Sequence, residues 1–123
     1  MRSGALGKVY HGGEAIVQQG EMGSSMYVIQ DGEVEVIRTQ DGSTIQLAVL
    51  GRGEFFGEIS LFGNEERSAT VRAKGEARIL TVDKKIFLRQ IQSDLTLAFR
   101  VFETMAARIK EMNSRLAAAN SQI

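Results

Sequence analysis

Glu58 and Arg67 stand nine residues apart in the stretch Phe55-Phe56-Gly57-Glu58-Ile59-Ser60-Leu61-Phe62-Gly63-Asn64-Glu65-Glu66-Arg67-Ser68-Ala69-Thr70-Val71. The chemistry these residue types offer is the capture of an anion beside a hydroxyl group. Gly57 lacks a Cβ, so the backbone there can approach a ligand closely. If a short helix begins at Glu58, its first N–H groups are unpaired and its dipole is positive at that end, which suits an anion. Arg67 would add a charge-assisted, bidentate contact to a phosphate, worth on the order of 1.5–3 kcal/mol. Glu58 repels a phosphate but accepts a hydrogen bond from a hydroxyl such as that of a ribose. A pocket for a sugar phosphate is the chemistry expected.

Bland readings exist for both. Glu58 alone would merely complement a helix dipole, a few tenths of a kcal/mol. Arg67 alone would pair with Glu65 or Glu66 on the surface, where such pairs contribute little. Neither explains why Gly57 precedes the one and the small residues Ser68 and Ala69 follow the other.

The elements that must position this stretch are β-strands. From Lys8 to Asp83 short apolar runs alternate with glycine turns. Val28-Ile29, then Asp31-Gly32, then Val34-Glu35-Val36-Ile37-Arg38 reads as a hairpin. Asp41-Gly42 reads as a second, leading into a strand that sets Ile45, Leu47 and Val49 on one face. Val71 and Ala73, then Ile79, Leu80 and Val82, complete the set, and Gly20, Gly32 and Gly53 read as turn residues. Strands so spaced predict an antiparallel roll or sandwich. Tyr27, Val28, Leu47, Val49, Phe56 and Leu61 are expected in its core, with Val49 and Leu61 also near a base or sugar.

After Asp83 the period changes to that of helices. Asp83 is placed to cap a helix to about Gln92, and Ser93 or Asp94 to cap a longer one to the C-terminus. Ile91, Leu95, Ala98, Phe102, Met105, Ile109, Met112, Leu116, Ala119 and Ile123 recur at spacings of three and four, a heptad seam. It outruns what a small roll would cover at about 1.5 Å per residue. Homodimerisation through this helix is expected, against the alternative of packing on its own roll.

Composition narrows the function classes. The 123 residues fit one domain, 1–123, divided into a roll over 8–83 and helices over 84–123. There are no cysteines, which excludes disulfides, thiol catalysis and thiolate metal sites and fits the cytoplasm. His11 is the only histidine, too few for a metal-dependent cupin or phosphodiesterase, and no nucleophile–base pair stands out. Enzyme activity and a metal cofactor are not expected. Residues 1–83 carry 8 Lys/Arg against 12 Asp/Glu, net −4, and residues 84–123 carry 7 against 3, net +4. The basic residues are spread around the helices, so a solvated surface is expected there rather than a DNA-binding one. No stretch has membrane-spanning length or the pattern of a signal peptide.

Phe56-Gly57-Glu58-Ile59-Ser60-Leu61 followed by Arg67-Ser68-Ala69-Thr70-Val71 resembles the phosphate-binding cassette of the cyclic nucleotide-binding domain family. That family includes catabolite activator-type regulators, cyclic nucleotide-gated channels and regulatory subunits of cAMP-dependent kinase. The resemblance extends through Gly13-Glu14-Ala15-Ile16-Val17-Gln18-Gln19-Gly20-Glu21 and Met26-Tyr27-Val28-Ile29-Gln30-Asp31-Gly32-Glu33-Val34. It implies a β-roll interrupted by the cassette helix and followed by two helices. It implies that Glu58 accepts from the ribose 2′-hydroxyl and Arg67 contacts the cyclic phosphate. It also implies that amides near Gly57, Ile59 and Ser60, with Ser68, complete the cradle. A lid over the base is implied from the last helix at about Arg108, Met112 and Asn113, where Met112 also belongs to the seam. The expected ligand-binding set is thus Gly57, Glu58, Ile59, Ser60, Leu61, Arg67, Ser68, Ala69, Val49, Arg108, Met112 and Asn113. The ligand expected is cAMP in preference to cGMP, read by a sensor domain; the alternative is a vestigial pocket in a dimerisation or docking module. Two departures from the family are a near-absent leading helix and no output domain after Ile123, so DNA binding by this chain is not expected.

Overall fold

Two long strands, β4 (Met26–Gln40) and β8 (Thr70–Val82), run antiparallel and carry most of the core. Their β-branched and aliphatic residues suit a pleated, half-buried surface. The computed structural model describes residues 6–121. Around the central pair, β1 (Lys8–Tyr10) and β2 (Ala15–Val17) lie along β8, while β5 (Ser43–Gly51) and β6 (Phe55–Phe56) lie along β4. A separate ribbon pairs β3 (Met22–Gly23) with β7 (Glu65–Glu66). Of the antiparallel roll or sandwich that the strand spacing predicts, the roll is the observed fold. Its core gathers Val17, Ile29, Val34, Phe56, Val71, Ala73, Ala77 and Ile79, all buried.

The chain reverses at one of the two Asp-Gly pairs only. At Asp41-Gly42 both residues take positive φ, 53° and 80°, the requirement of a two-residue hairpin turn, and Gln40 pairs with Ser43 across it. At Asp31-Gly32 only the glycine is left-handed, so the expected hairpin does not form and β4 runs straight through. The pairing with β8 shifts register on either side of Asp31 instead, and a Cβ on Gly32 would collide with the Glu76 carbonyl. The dipeptide serves a bulge, the other use of a left-handed glycine.

Leu47 and Val49, expected in the core, are 47% and 39% exposed. Val49 pairs with Glu35, whereas Val34, Val36 and Leu50 belong to the core and its lining. Alternation along a strand therefore turns Val49 to the opposite face.

The chain divides into two compact units, one ending at Phe87 and the other starting at Leu88, within α1 (Lys84–Ser93). Asp83 caps α1 as expected, its Oδ1 accepting from the Ile86 amide at 2.8 Å. The second helix, α2 (Thr96–Ser121), is introduced by Asp94, whose Oδ1 accepts from the Thr96 amide at 2.9 Å; Ser93 instead donates to the Gln90 carbonyl. Because α1 ends at Ser93, Ile91 is separated from the rest of the apolar seam, which runs from Leu95 into α2. On α2 Leu95, at its entrance, Phe102, Ile109, Met112 and Leu116 are exposed, with Phe99 beside them. Leu97 and Val101 form a second, buried stripe that the heptad reading did not include. Ile123 lies outside the described residues. No helix among the described residues is long and apolar enough to cross a membrane.

Candidate functional site

β6 ends in Phe56, and Gly57 then takes a left-handed conformation (φ 79°, ψ 15°) that starts a 3-10 helix over Glu58–Phe62. The sequence predicts a short helix here; the structure makes it the tighter 3-10 kind, a single short piece as such helices usually are. The Ser60 amide donates to the Gly57 carbonyl at 3.2 Å and the Gly63 amide to that of Ser60 at 3.4 Å. Gly57 is required for space as well as conformation: a Cβ there would stand 2.9 Å from Arg67 Nη1 and 3.1 Å from the Ser25 carbonyl oxygen.

Arg67 turns inward. It is 8% exposed, while Glu65 and Glu66 are solvent-facing, so the surface ion-pair reading does not describe it. A buried guanidinium is costly unless its N–H groups find partners. Nη1 donates to Ser60 Oγ at 2.9 Å and Nη2 to the Ser25 carbonyl at 3.0 Å. Its Cζ sits 5.7 Å from the centroid of the Tyr27 ring, which in turn stacks on Phe56 at 5.2 Å and 17°. Its backbone is tied down too, donating to the Glu21 carbonyl and accepting from the Gly20 amide, both at 2.8 Å. Such a cation is pre-organised, with little side-chain freedom left to lose on meeting an anion.

Glu58 is 3% exposed, which a carboxylate merely complementing a helix dipole in solvent would not be. The structure thus brings the buried Glu58, Ser60 and Arg67 together with the half-buried Gly57 in one cassette. Leu61 is buried one position further along, and Ile59 is 42% exposed. Ser68 is exposed and Ala69 half-buried; the Ser68 carbonyl accepts from Arg38 Nε at 3.1 Å, bracing the exit of the cassette against β4. Gln19 adds to this brace: its side-chain amide exchanges two hydrogen bonds with the Thr39 backbone, at 2.8 and 3.0 Å. Val49 faces away from the core, opposite the Glu35 carboxylate that Arg72 Nη2 grips at 2.7 Å. Arg108, Met112 and Asn113 lie on α2, all exposed.

Ser60 and Leu61 also border a hollow of about 360 Å³ that reaches Asp83, Lys84 and Lys85 at the start of α1. Three contributors to the site escaped the sequence: Gly23, Ser25 and the ring face of Tyr27. A carbonyl acceptor has no residue signature, and Tyr27 in an apolar run reads as core. Gly23 sits where a Cβ would run into the Arg67 guanidinium.

A family model described as "Cyclic nucleotide-binding domain" matches residues 7–94. This chain belongs to the cyclic nucleotide-binding domain family. It is 36% identical over 110 residues to a cAMP-dependent protein kinase regulatory subunit of Mucor circinelloides, covering 89% of this chain and 26% of that one. Against the crystal structure of the Thermus thermophilus catabolite activator protein the TM-score is 0.79 at 32% identity, over 92% of this chain and 54% of that one. An EAL enzyme solved in a cAMP-bound form superposes with a TM-score of 0.63 at 29% identity, over 93% of this chain and 31% of its own. This cyclic nucleotide-binding domain spans about a quarter of the length of the kinase regulatory subunit it matches. The family and the kinase relative are binding and regulatory in character. Among the described residues no group of three or more His, Cys, Asp or Glu side chains is placed to hold a metal.

Proposed function

We propose that this cyclic nucleotide-binding domain is a sensor for a 3′,5′-cyclic nucleotide, cAMP in preference to cGMP. The observation that carries the reading is the buried Arg67, held at both terminal nitrogens in the same cassette as the buried Glu58. Arg67 meets the cyclic phosphate, Glu58 accepts from the ribose 2′-hydroxyl, and amides of Gly57, Ile59 and Ser60 with Ser68 and Ala69 complete the cradle. Leu61 packs behind it. Val49, turned to the outer face, has the weakest geometric support of the set. Arg108, Met112 and Asn113 on α2 form the lid over the base.

The preference for cAMP draws on the cAMP-dependent kinase relative; the EAL enzyme, solved with cGMP as well as cAMP, supports either base. The mechanism is a population shift in which the ligand favours the closed cassette. The hollow shared by Ser60, Leu61 and the first turn of α1 offers a route by which cassette movement is felt at the start of α1. The exposed stripe on α2 favours a homodimer, and a chain without cysteines fits work in the cytoplasm. Thermal unfolding of nucleotide-stripped protein tests the reading, since a ligand that binds only the folded state must stabilise it, by about 2.7 kcal/mol at a hundredfold excess over Kd. A melting temperature unmoved by millimolar cAMP or cGMP favours the rival, a docking module with a vestigial pocket.

A further inference from the structure

The proposed cradle uses the backbone amide of Ser60 and leaves its hydroxyl without a task. Yet that hydroxyl is buried, on a residue 4% exposed, and lies 2.9 Å from Arg67 Nη1. We infer that Ser60 is a positioning residue whose Oγ fixes the Arg67 guanidinium in the orientation that receives the phosphate. This rests on the cyclic-nucleotide reading of the site and assigns the cassette a part within it.

A guanidinium is a flat fork with five N–H donors and no acceptor. Held at one nitrogen, it can still swing about the bond to that partner. Arg67 is held at two: Ser60 Oγ takes Nη1 and the Ser25 carbonyl takes Nη2 at 3.0 Å. The Tyr27 ring lies 5.7 Å from Cζ, and Gly23 and Gly57 leave the fork room where a Cβ would intrude. The two bonds engage two of the five donors, so the same fork can keep them and meet phosphate oxygens with others. Ser60 is also part of the 3-10 turn from which the proposed cradle draws its backbone amides. One residue therefore couples the two halves of the cradle, charge and backbone, into a single rigid piece. The Ser25 carbonyl cannot substitute for it, because it grips the other terminal nitrogen.

The test compares wild type, Ser60→Ala, Arg67→Ala and the double variant by calorimetric titration with cAMP. A second measurement follows the Arg67 Nε–Hε resonance and rotation about Nε–Cζ by NMR in nucleotide-free protein. Ser60→Ala should bind about tenfold more weakly, the lower end of what a hydrogen bond to a charged group is worth. In the Arg67→Ala background the same change should cost less than about twofold, because a residue that acts only through Arg67 has nothing left to position. Guanidinium rotation should be slow in wild type and fast in Ser60→Ala. Equal affinity of wild type and Ser60→Ala, or the same loss in both backgrounds, overturns the inference. So does unchanged rotation. The variants' failures separate cleanly: if wild type itself binds neither cAMP nor cGMP, the reading of the site falls, whereas binding by wild type with no effect of Ser60→Ala removes only the role of the hydroxyl.

Discussion

Gly23 stands against the Arg67 guanidinium so closely that a Cβ at that position would occupy the space of the side chain's Nε, Cζ and Nη2. Nothing in the local sequence marks this glycine. Its φ is not in the left-handed region, so its requirement is one of space alone. Gly23→Ala is expected to push Arg67 out of its orientation, weakening cAMP binding by at least tenfold and costing about 1–3 kcal/mol of stability, as overpacking does. Titration and thermal melts of the variant check this; binding equal to wild type would show that Arg67 does not need this place.

The Arg67–Tyr27–Phe56 stack is the second support that can be tested alone. Tyr27→Leu removes an aromatic face worth about 0.5–2 kcal/mol to the cation, and should lower both stability and affinity. Tyr27→Phe keeps the face and should behave as wild type in both. If the two variants are indistinguishable, the ring contributes as bulk apolar packing rather than through its face.

Glu58 is assigned the ribose hydroxyl, which makes a chemical prediction about the ligand as well as the protein. Wild type should bind 2′-deoxy-cAMP more weakly than cAMP by roughly 1.5–3 kcal/mol, the worth of a hydrogen bond to a charged group. Glu58→Gln keeps a carbonyl acceptor but loses the charge, so it should discriminate between the two less than wild type does. Competition titrations with both nucleotides decide it, and undiminished discrimination in Glu58→Gln would assign the hydroxyl to another residue.

The fold was legible where a residue's own chemistry decides the local backbone. Asp83 as a cap, Asp41-Gly42 as a turn and the alternation in β4 and β8 follow from side chains acting on their immediate neighbours. Asp31-Gly32 misled because the same dipeptide serves a bulge when Asp31 keeps negative φ, and that choice is made by the opposing strand, forty-odd residues away. The site divided the same way. Gly57, Glu58 and Arg67 were visible as a spaced set, whereas the Ser25 carbonyl and the empty volume at Gly23 exist only in three dimensions. Alternation alone sets Val49 with the core face of β5, and only its pairing with Glu35 shows that it lies on the other.

The apolar stripe on α2 carries a separate prediction. Phe102 and Ile109 are 70% and 59% exposed, and paired copies of such a seam bury them. Sedimentation velocity should show wild type as a dimer and the Phe102→Glu, Ile109→Glu double variant as a monomer. A wild-type monomer at high micromolar concentration would refute self-association through this helix.

Whether the inward-turned Arg67 receives a cyclic phosphate is tested most directly by isothermal titration of nucleotide-free protein with cAMP, repeated on Arg67→Ala. The expected result is saturable heat at one nucleotide per chain, with affinity lower in the variant by about 1.5–3 kcal/mol. No heat from cAMP or cGMP with wild type, or identical isotherms for wild type and Arg67→Ala, would contradict it.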